Sequence, residues 1–194
     1  MPKSYPKIWF LRHGQTEWNK VYRLQGQLNS PLTNQGIAEA ERQAVMMPPI
    51  LAQSPDVFVS PLGRARQTAE IALGDVTYKT DLRLMEIDAG KWQGMLRADI
   101  MAAHPDWAAT NPSPLEIYEA AEAGEGIAAF QARITDFLDD LTGPSVIVAH
   151  GLLGQVLRAL VRGLDMQQAG ELSNDQGCIY VLEEGRETVL EANG

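Results

Sequence analysis

The 194-residue chain contains a single cysteine, Cys178. One thiol excludes an intrachain disulfide and a CxxC redox or zinc site, and Cys178 reads as a small buried apolar residue on a strand. Basic residues are also short, with 16 Lys and Arg against 25 Asp and Glu and a formal net charge of −9. That deficit argues against a general surface for nucleic acid or anionic membrane, which needs the opposite excess. An anionic small molecule stays compatible, because two or three local arginines override the mean field at short range. No apolar core of roughly 7–15 residues opens the chain, as a secretory signal would require. No run approaches the roughly 20 residues of a membrane span, so the cytoplasm is the expected location. The HxxxH and HxxEH zinc patterns, the Walker and GxGxxG phosphate loops and the GxSxG elbow are missing too. No repeat or linker divides the sequence, and its length fits one domain, residues 1–194, with a sizeable core.

What the chain does have is a set of short apolar runs that end in chemically loaded residues. Ile8, Trp9, Phe10 and Leu11 follow Pro6 and read as a buried strand. It ends at Arg12-His13-Gly14, a cation beside an imidazole. Gly14 lacks a Cβ, so backbone could approach a ligand there. Taken alone, this tripeptide is equally an ordinary polar turn. A second run, Val57-Phe58-Val59, ends at Ser60-Pro61, with Arg64 four residues on. A third, Val146 to Ala149, runs into His150-Gly151.

Helical spacing fills the intervals. Thr33 offers an N-cap to a helix with Ile37, Ala40, Ala44 and Met47 inward, ended by Pro48-Pro49. Gly63-Arg64 opens a helix with Ala65, Ala69 and Ala72 inward. Residues 76–80 read as a further strand. Residues 126–141 carry the stripe Ile127, Phe130, Ile134, Phe137, Leu138 and Leu141, and Gly143-Pro144 ends that helix. After His150, a helix points Leu153, Val156, Leu157, Leu160 and Val161 inward. Residues 177–183 and 187–190 read as a terminal hairpin. Residues 15–32 and 82–94 read as loops, 96–103 as a short helix, and 106–125 as the weakest-patterned stretch. Strands alternating with helices imply a layered α/β sheet.

If the three strands lie parallel and adjacent, their carboxyl ends converge on one crevice. It would hold two imidazoles, two guanidiniums and a hydroxyl. Helix N-termini after Ser60 and His150 would add N–H groups and partial positive charge. Such a pocket suits a phosphate, which the planar fork of arginine grips by two oxygens. The competing chemistry is a metal held by His13, His150 and Glu86. Arg12 argues against it, since a guanidinium beside a ligand repels a divalent cation. Arginines also push a neighbouring imidazole toward neutrality, which frees its lone pair.

Arg12-His13-Gly14-x-Thr16-x-x-Asn19 resembles the signature of the histidine phosphatase superfamily, the phosphoglycerate-mutase-like proteins. Pro31-Leu32-Thr33-x-x-Gly36, Ser60-Pro61-Leu62-x-Arg64-Ala65-x-Gln67-Thr68, Glu86-Ile87-x-x-Gly90-x-Trp92-x-Gly94 and His150-Gly151 follow in that family's order. The resemblance implies a three-layer α/β/α sandwich around a mostly parallel sheet, with a lid-like insertion around 96–125. It also implies roles. His13 would attack phosphorus and become phosphohistidine. Arg12, Arg64, Asn19 and His150 would hold the phosphoryl oxygens. Glu86 would protonate the leaving oxygen and then deprotonate water, a double role suited to a carboxyl tuned by burial near Trp92. Thr16, Gln25, Ser60, Gly151 and Leu152 are further candidates for substrate contact. Ser60 reads equally as a helix cap, and Gln25 as a solvated loop residue. No metal and no cofactor are implied.

The substrate class is a small phosphorylated metabolite. Glu86-Ile87-Asp88-x-Gly90 looks like the phosphatase branches, such as the fructose-bisphosphatase domain of the bifunctional sugar kinase. Mutases of the family carry a longer, basic insertion after the Glu86 block, whereas 96–125 is short and acidic here. A mutase, a phosphate-binding protein with little turnover and a zinc hydrolase are the rival readings. Glu116, Glu119, Glu122 and Glu125 read as a solvated face, or as an acidic lid against highly phosphorylated substrates. His104 reads as a helix-end residue and Trp92 as packing. Gly126 stands where the family usually shows serine after Gly-Glu. The sequence leaves monomer and oligomer equally open.

Overall fold

The structure, a computed structural model, describes residues 3–192; residues 1, 2, 193 and 194 of the expected domain lie outside the described residues. Strand β1, Ile8–Arg12, alternates its side chains between two faces, as the period of a strand requires. Ile8 and Phe10 join one apolar cluster and Trp9 and Leu11 another, so both faces are covered. Burial on both faces is the property of a central strand flanked by helices.

The sheet has six strands in the order β3-β2-β4-β1-β5-β6. They are β2 (Asp56–Val59), β3 (Lys79–Thr80), β4 (Ser145–Ala149), β5 (Ile179–Glu183) and β6 (Arg186–Leu190), besides β1. β1 to β4 run parallel, and the β5–β6 hairpin is antiparallel. Among the described residues ten α-helices accompany them: α1 (Glu17–Lys20), α2 (Asn34–Met46), α3 (Pro48–Leu51), α4 (Gly63–Leu73), α5 (Arg97–Ala103), α6 (Trp107–Thr110), α7 (Pro114–Glu119), α8 (Ile127–Asp139), α9 (Gly151–Arg162) and α10 (Met166–Glu171). α8 and α9 cover the Phe10 face, with Phe130, Ile134, Leu153 and Val156 buried against it. α3 and α4 cover the Trp9 face with Ile50, Ala65, Ala69 and Ala72. The result is the expected three-layer α/β/α sandwich. Among the described residues no helix is long and apolar enough to cross a membrane.

Several elements differ from expectation for local reasons. The strand expected over 76–80 is only Lys79–Thr80, both exposed at the sheet edge. Pro48 ends α2 yet opens α3, the first-turn position its missing N–H tolerates. α2 buries Glu39 and Gln43 together with Gly36 and Ala40, while Ile37 and Ala44 stay half-buried. The two polar residues serve the β1 end. Glu39 accepts from the Gln15 amide at 2.7 Å, and Gln43 donates to the Arg12 and Cys178 carbonyls at 3.0 and 3.1 Å. Gly14 serves packing rather than ligand approach. A Cβ there would lie 2.1 Å from the Gly36 carbonyl oxygen, so the turn after β1 docks backbone to backbone on the start of α2.

The weakly patterned stretch 106–125 is partly helical, and its carboxylates are mostly occupied. Glu116 completes the Ser113 capping box of α7. Glu122 pairs with Lys91, and Glu125 with Arg133. Gly126 has a φ of 75°, a conformation that disfavours serine. The cap that a serine hydroxyl would give α8 comes instead from Glu119, which accepts from the Ile127 amide at 2.5 Å.

Candidate active site

Strand register builds the site. Parallel pairing sets Arg12 opposite Ala149 and Val59 opposite Val148. His13 and His150 therefore emerge at one level on adjacent strand ends, and Ser60 emerges one residue lower, level with Ala149. The His13 amide donates to the Ala149 carbonyl at 3.0 Å, which extends the ladder to the imidazole itself. The His13 and His150 rings lie 5.3 Å apart between centroids.

His13 Nδ1 is 2.7 Å from the Gly14 carbonyl oxygen. A carbonyl only accepts, so Nδ1 carries the hydrogen and Nε2 keeps its lone pair. Arg64 Nε donates to that Nε2 at 3.2 Å. Burial, then the charges of Arg64 and Arg12, hold the His13 pKa well below the ordinary imidazole range. His150 is lowered for the same reasons, burial first and Arg64 next. Both rings are therefore neutral at neutral pH.

Arg64 is held by the β2–α4 junction and by the loop before α2. Its Nη1 donates to the Leu28 carbonyl and its Nη2 to the Gly26 carbonyl, each at 2.7 Å. With the His13 contact, three of its five N–H groups are placed and two remain for a ligand. Burial pushes its pKa down to about 10, which leaves it cationic at neutral pH. Arg12 donates through Nη1 to the Asn174 carbonyl, and its Nε has no protein partner.

Glu86 sits at the N-terminus of α9. Its Oε2 accepts from the Leu152 amide at 3.0 Å, and its Oε1 from the Leu153 and Ile87 amides at 3.0 and 3.1 Å. A helix start is where an anion gains most from free N–H groups. Trp92 is engaged elsewhere, packed edge-on against His104 and Trp107.

These groups open on a cavity of about 450 Å³. Arg12, His13, Arg64, Glu86, Asn19, Gln25, Gly151 and Leu152 line it, as the sequence leads one to expect of a common site. Three expected residues do not. Thr16 is fully buried, and its hydroxyl accepts from the Asn19 amide as the cap of α1. Ser60 is buried and meets His150 Nε2 at 2.7 Å, so it orients that ring and touches no cavity. His150 itself is wholly buried beside His13, with Nδ1 unpartnered. Leu152 lines the cavity, but its amide is taken by Glu86.

The wall from 18–27 and 96–125 adds residues that sequence reasoning missed. Tyr22, Arg23, Arg97, Pro114, Ile117 and Tyr118 line it, and none is acidic, so the acidic lid is not what the cavity meets. Asn174 and Gln176 complete the rim, and Gln176 donates to the His13 carbonyl at 2.8 Å. The stretch 163–176 has no apolar period, so no signal marks those two. Polar Glu39 and Gln43, one helical turn apart, were detectable as an inward-facing pair. Among the described residues no three His, Cys, Asp or Glu side chains gather as a metal-binding group, and His13, His150 and Glu86 do not form one.

A strand-end histidine with an unprotonated Nε2, framed by two arginines and a carboxylate, is an arrangement suited to phosphoryl transfer. The profile of the histidine phosphatase superfamily (branch 1) matches residues 8–192, and the chain belongs to that family. Phosphoserine phosphatase 1 of Hydrogenobacter thermophilus is 28% identical over 202 residues, covering 96% of this chain and 92% of that protein. A 2,3-bisphosphoglycerate-dependent phosphoglycerate mutase of Bifidobacterium longum is 29% identical over 200 residues, covering 86% of this chain and 80% of that protein. The crystal structure of a phosphoglycerate mutase from Thermus thermophilus superposes with a TM-score of 0.73 at 30% identity, covering 97% of this chain and 99% of that one. Family and relatives together indicate phosphatase or mutase activity.

Proposed function

We propose that the protein is a metal-independent phosphatase that hydrolyses a small phosphate monoester through a phosphohistidine on His13. The observation that carries this reading is the fixed tautomer of His13, a cavity-lining residue whose Nδ1–H rests on the Gly14 carbonyl and whose unprotonated Nε2 is held by Arg64. In the first step Nε2 bonds to phosphorus as the ester P–O bond breaks, and Glu86 gives its proton to the leaving oxygen. In the second, water bonds to phosphorus as the P–N bond breaks, and Glu86 takes the water's proton. Oε2 is the better oxygen for that proton, since it holds one backbone N–H where Oε1 holds two. Arg12 and Arg64 neutralise the transferring group. Charge stabilisation of this kind is the larger share of phosphoryl-transfer catalysis.

Arg97 supports a refinement of the substrate. Among the described residues it has no carboxylate within ion-pair distance, yet it lines the cavity with Arg23. A monoester bearing a second anionic group fits such a wall. The test is hydrolysis of an aryl phosphate in excess chelator, followed by labelled phosphoglycerates. Activity that survives the chelator, with label released as free phosphate, is expected. Activity that dies with the chelator ends the metal-free reading, and label in an isomeric phosphoglycerate makes the protein a mutase.

A further inference from the structure

Glu86 is gripped from two sides. Its carboxylate rests on the amides that open α9. Its backbone is held by Arg133, which rises from α8. Arg133 Nη2 donates to the Glu86 carbonyl at 3.1 Å, and Nη1 donates to the Arg83 carbonyl at 2.6 Å. The guanidinium thus spans both ends of the turn that delivers Glu86. Its remaining edge meets Glu125, with Nε to Oε1 at 2.5 Å and Nη2 to Oε2 at 2.9 Å. Glu125 in turn accepts from the Asp88 amide at 3.2 Å, and its own amide donates to the Asp88 carbonyl at 3.0 Å.

Neither side chain lines the cavity, and both are mostly buried, at 17% and 16% exposed. A buried pair of this kind is weak support for stability, because desolvation offsets the attraction. Its geometry has another use. Arg133 holds the carbonyls at Arg83 and Glu86, Glu125 holds both backbone groups of Asp88, and the ion pair joins the two grips. Only a planar fork can bridge two carbonyls and a carboxylate at once, so lysine is no substitute.

We infer that Arg133 and Glu125 are positioning residues for Glu86, setting the carboxyl where it can pass a proton to the leaving oxygen; this rests on the acid–base role given to Glu86 above. The proton matters most for a poor leaving group. A nitrophenolate leaves without help, whereas an alkoxide does not. Displacing the carboxyl should therefore cost far more on an alkyl ester than on an aryl ester.

The experiment compares kcat/KM on glycerol 2-phosphate and on p-nitrophenyl phosphate for Glu86→Gln, Arg133→Lys and Glu125→Gln, with thermal melts to confirm folding. General acid–base help is worth roughly 10²–10⁴-fold, so Glu86→Gln should lose about that factor on the alkyl ester beyond its loss on the aryl ester. Arg133→Lys should lose at least about tenfold more on the alkyl ester, and Glu125→Gln a smaller excess of the same sign. In the Glu86→Gln background neither change should add selectivity. If Arg133→Lys does not fold, Glu125→Gln carries the test, because glutamine keeps the shape and one acceptor. Selective loss in Glu86→Gln with equal losses on both esters in the folded clamp variants overturns the positioning role alone. Equal losses in Glu86→Gln itself overturn the acid–base role and the inference with it.

Discussion

Two walls of one cavity are built by opposite means. The strand-end wall carries Arg12 in register with β4, His13 just beyond it and Arg64 at the start of α4, and each side chain is anchored by at least one bond to the protein. The opposite wall comes from the loop before α2 and from short helices, and it presents Arg97 without a carboxylate partner and Tyr22 at 74% exposure. Pre-bonded groups lose no freedom when a substrate arrives, which is what transition-state stabilisation requires. Loosely tied groups can change from one relative to another without disturbing the sheet. Under the proposed function, the chemistry falls to the first wall and the choice of substrate to the second.

Substitutions on each wall should separate these roles. The largest effect is expected for His13→Ala, with a loss of roughly 10⁴- to 10⁶-fold in kcat, the scale of removing a nucleophile. An acid-labile, base-stable labelled adduct should vanish with it, and an adduct that persists would refute the assignment. Arg64→Lys comes next, at roughly 10²–10³-fold in kcat. Lysine cannot reach His13, Gly26 and Leu28 together while facing the phosphate. Near-normal turnover in that variant would mean the guanidinium only packs.

Protonation tests the same wall through stability. Both buried imidazoles have lowered pKa values, so below about pH 6.5 the unfolded chain binds protons that the folded chain refuses. Stability is therefore full near neutrality and falls as pH drops through that value, by about 1.4 kcal/mol per unit for each ring. Urea midpoints between pH 7 and 5 should show this slope, reduced in His150→Gln. An unchanged slope would contradict burial of a neutral ring. The smallest effect belongs to the second wall. Arg97→Ala should raise KM roughly two- to fivefold for an ester with a second anionic group, about the worth of one exposed charge pair. It should leave p-nitrophenyl phosphate untouched, and equal changes on both would place Arg97 with the phosphate.

Much of this was legible in the sequence because β1, β2 and β4 are buried on both faces and so read as apolar runs. Their terminal residues then announce the chemistry. Side-chain direction was not legible: His13 and His150 leave their strands at one level, yet only His13 lines the cavity, while His150 and Ser60 meet each other in the interior. The inner face of α2 was misread because its burial is polar, with Glu39 and Gln43 chosen for carbonyls and amides rather than for apolar contact. Gly14 and Gly36 were visible as motif residues, but their mutual contact exists only in three dimensions. Arg133 lies at the edge of a well-read helix stripe, where charge carries no signal of what it grips.

The pairing of β1 has a temporal side. The strand that leads into His13 is made before its two neighbours, β4 and β5, which come from the last third of this sequence. Arg12 and His13 are tied down by Asn174 and Gln176, which lie between those two strands. A nascent chain therefore cannot fix Arg12 and His13 until the segment through Gln176 has been made, and long-range closure of this kind is slow. Under the proposed function, a polypeptide stalled before that point would carry its phosphoryl acceptor unheld.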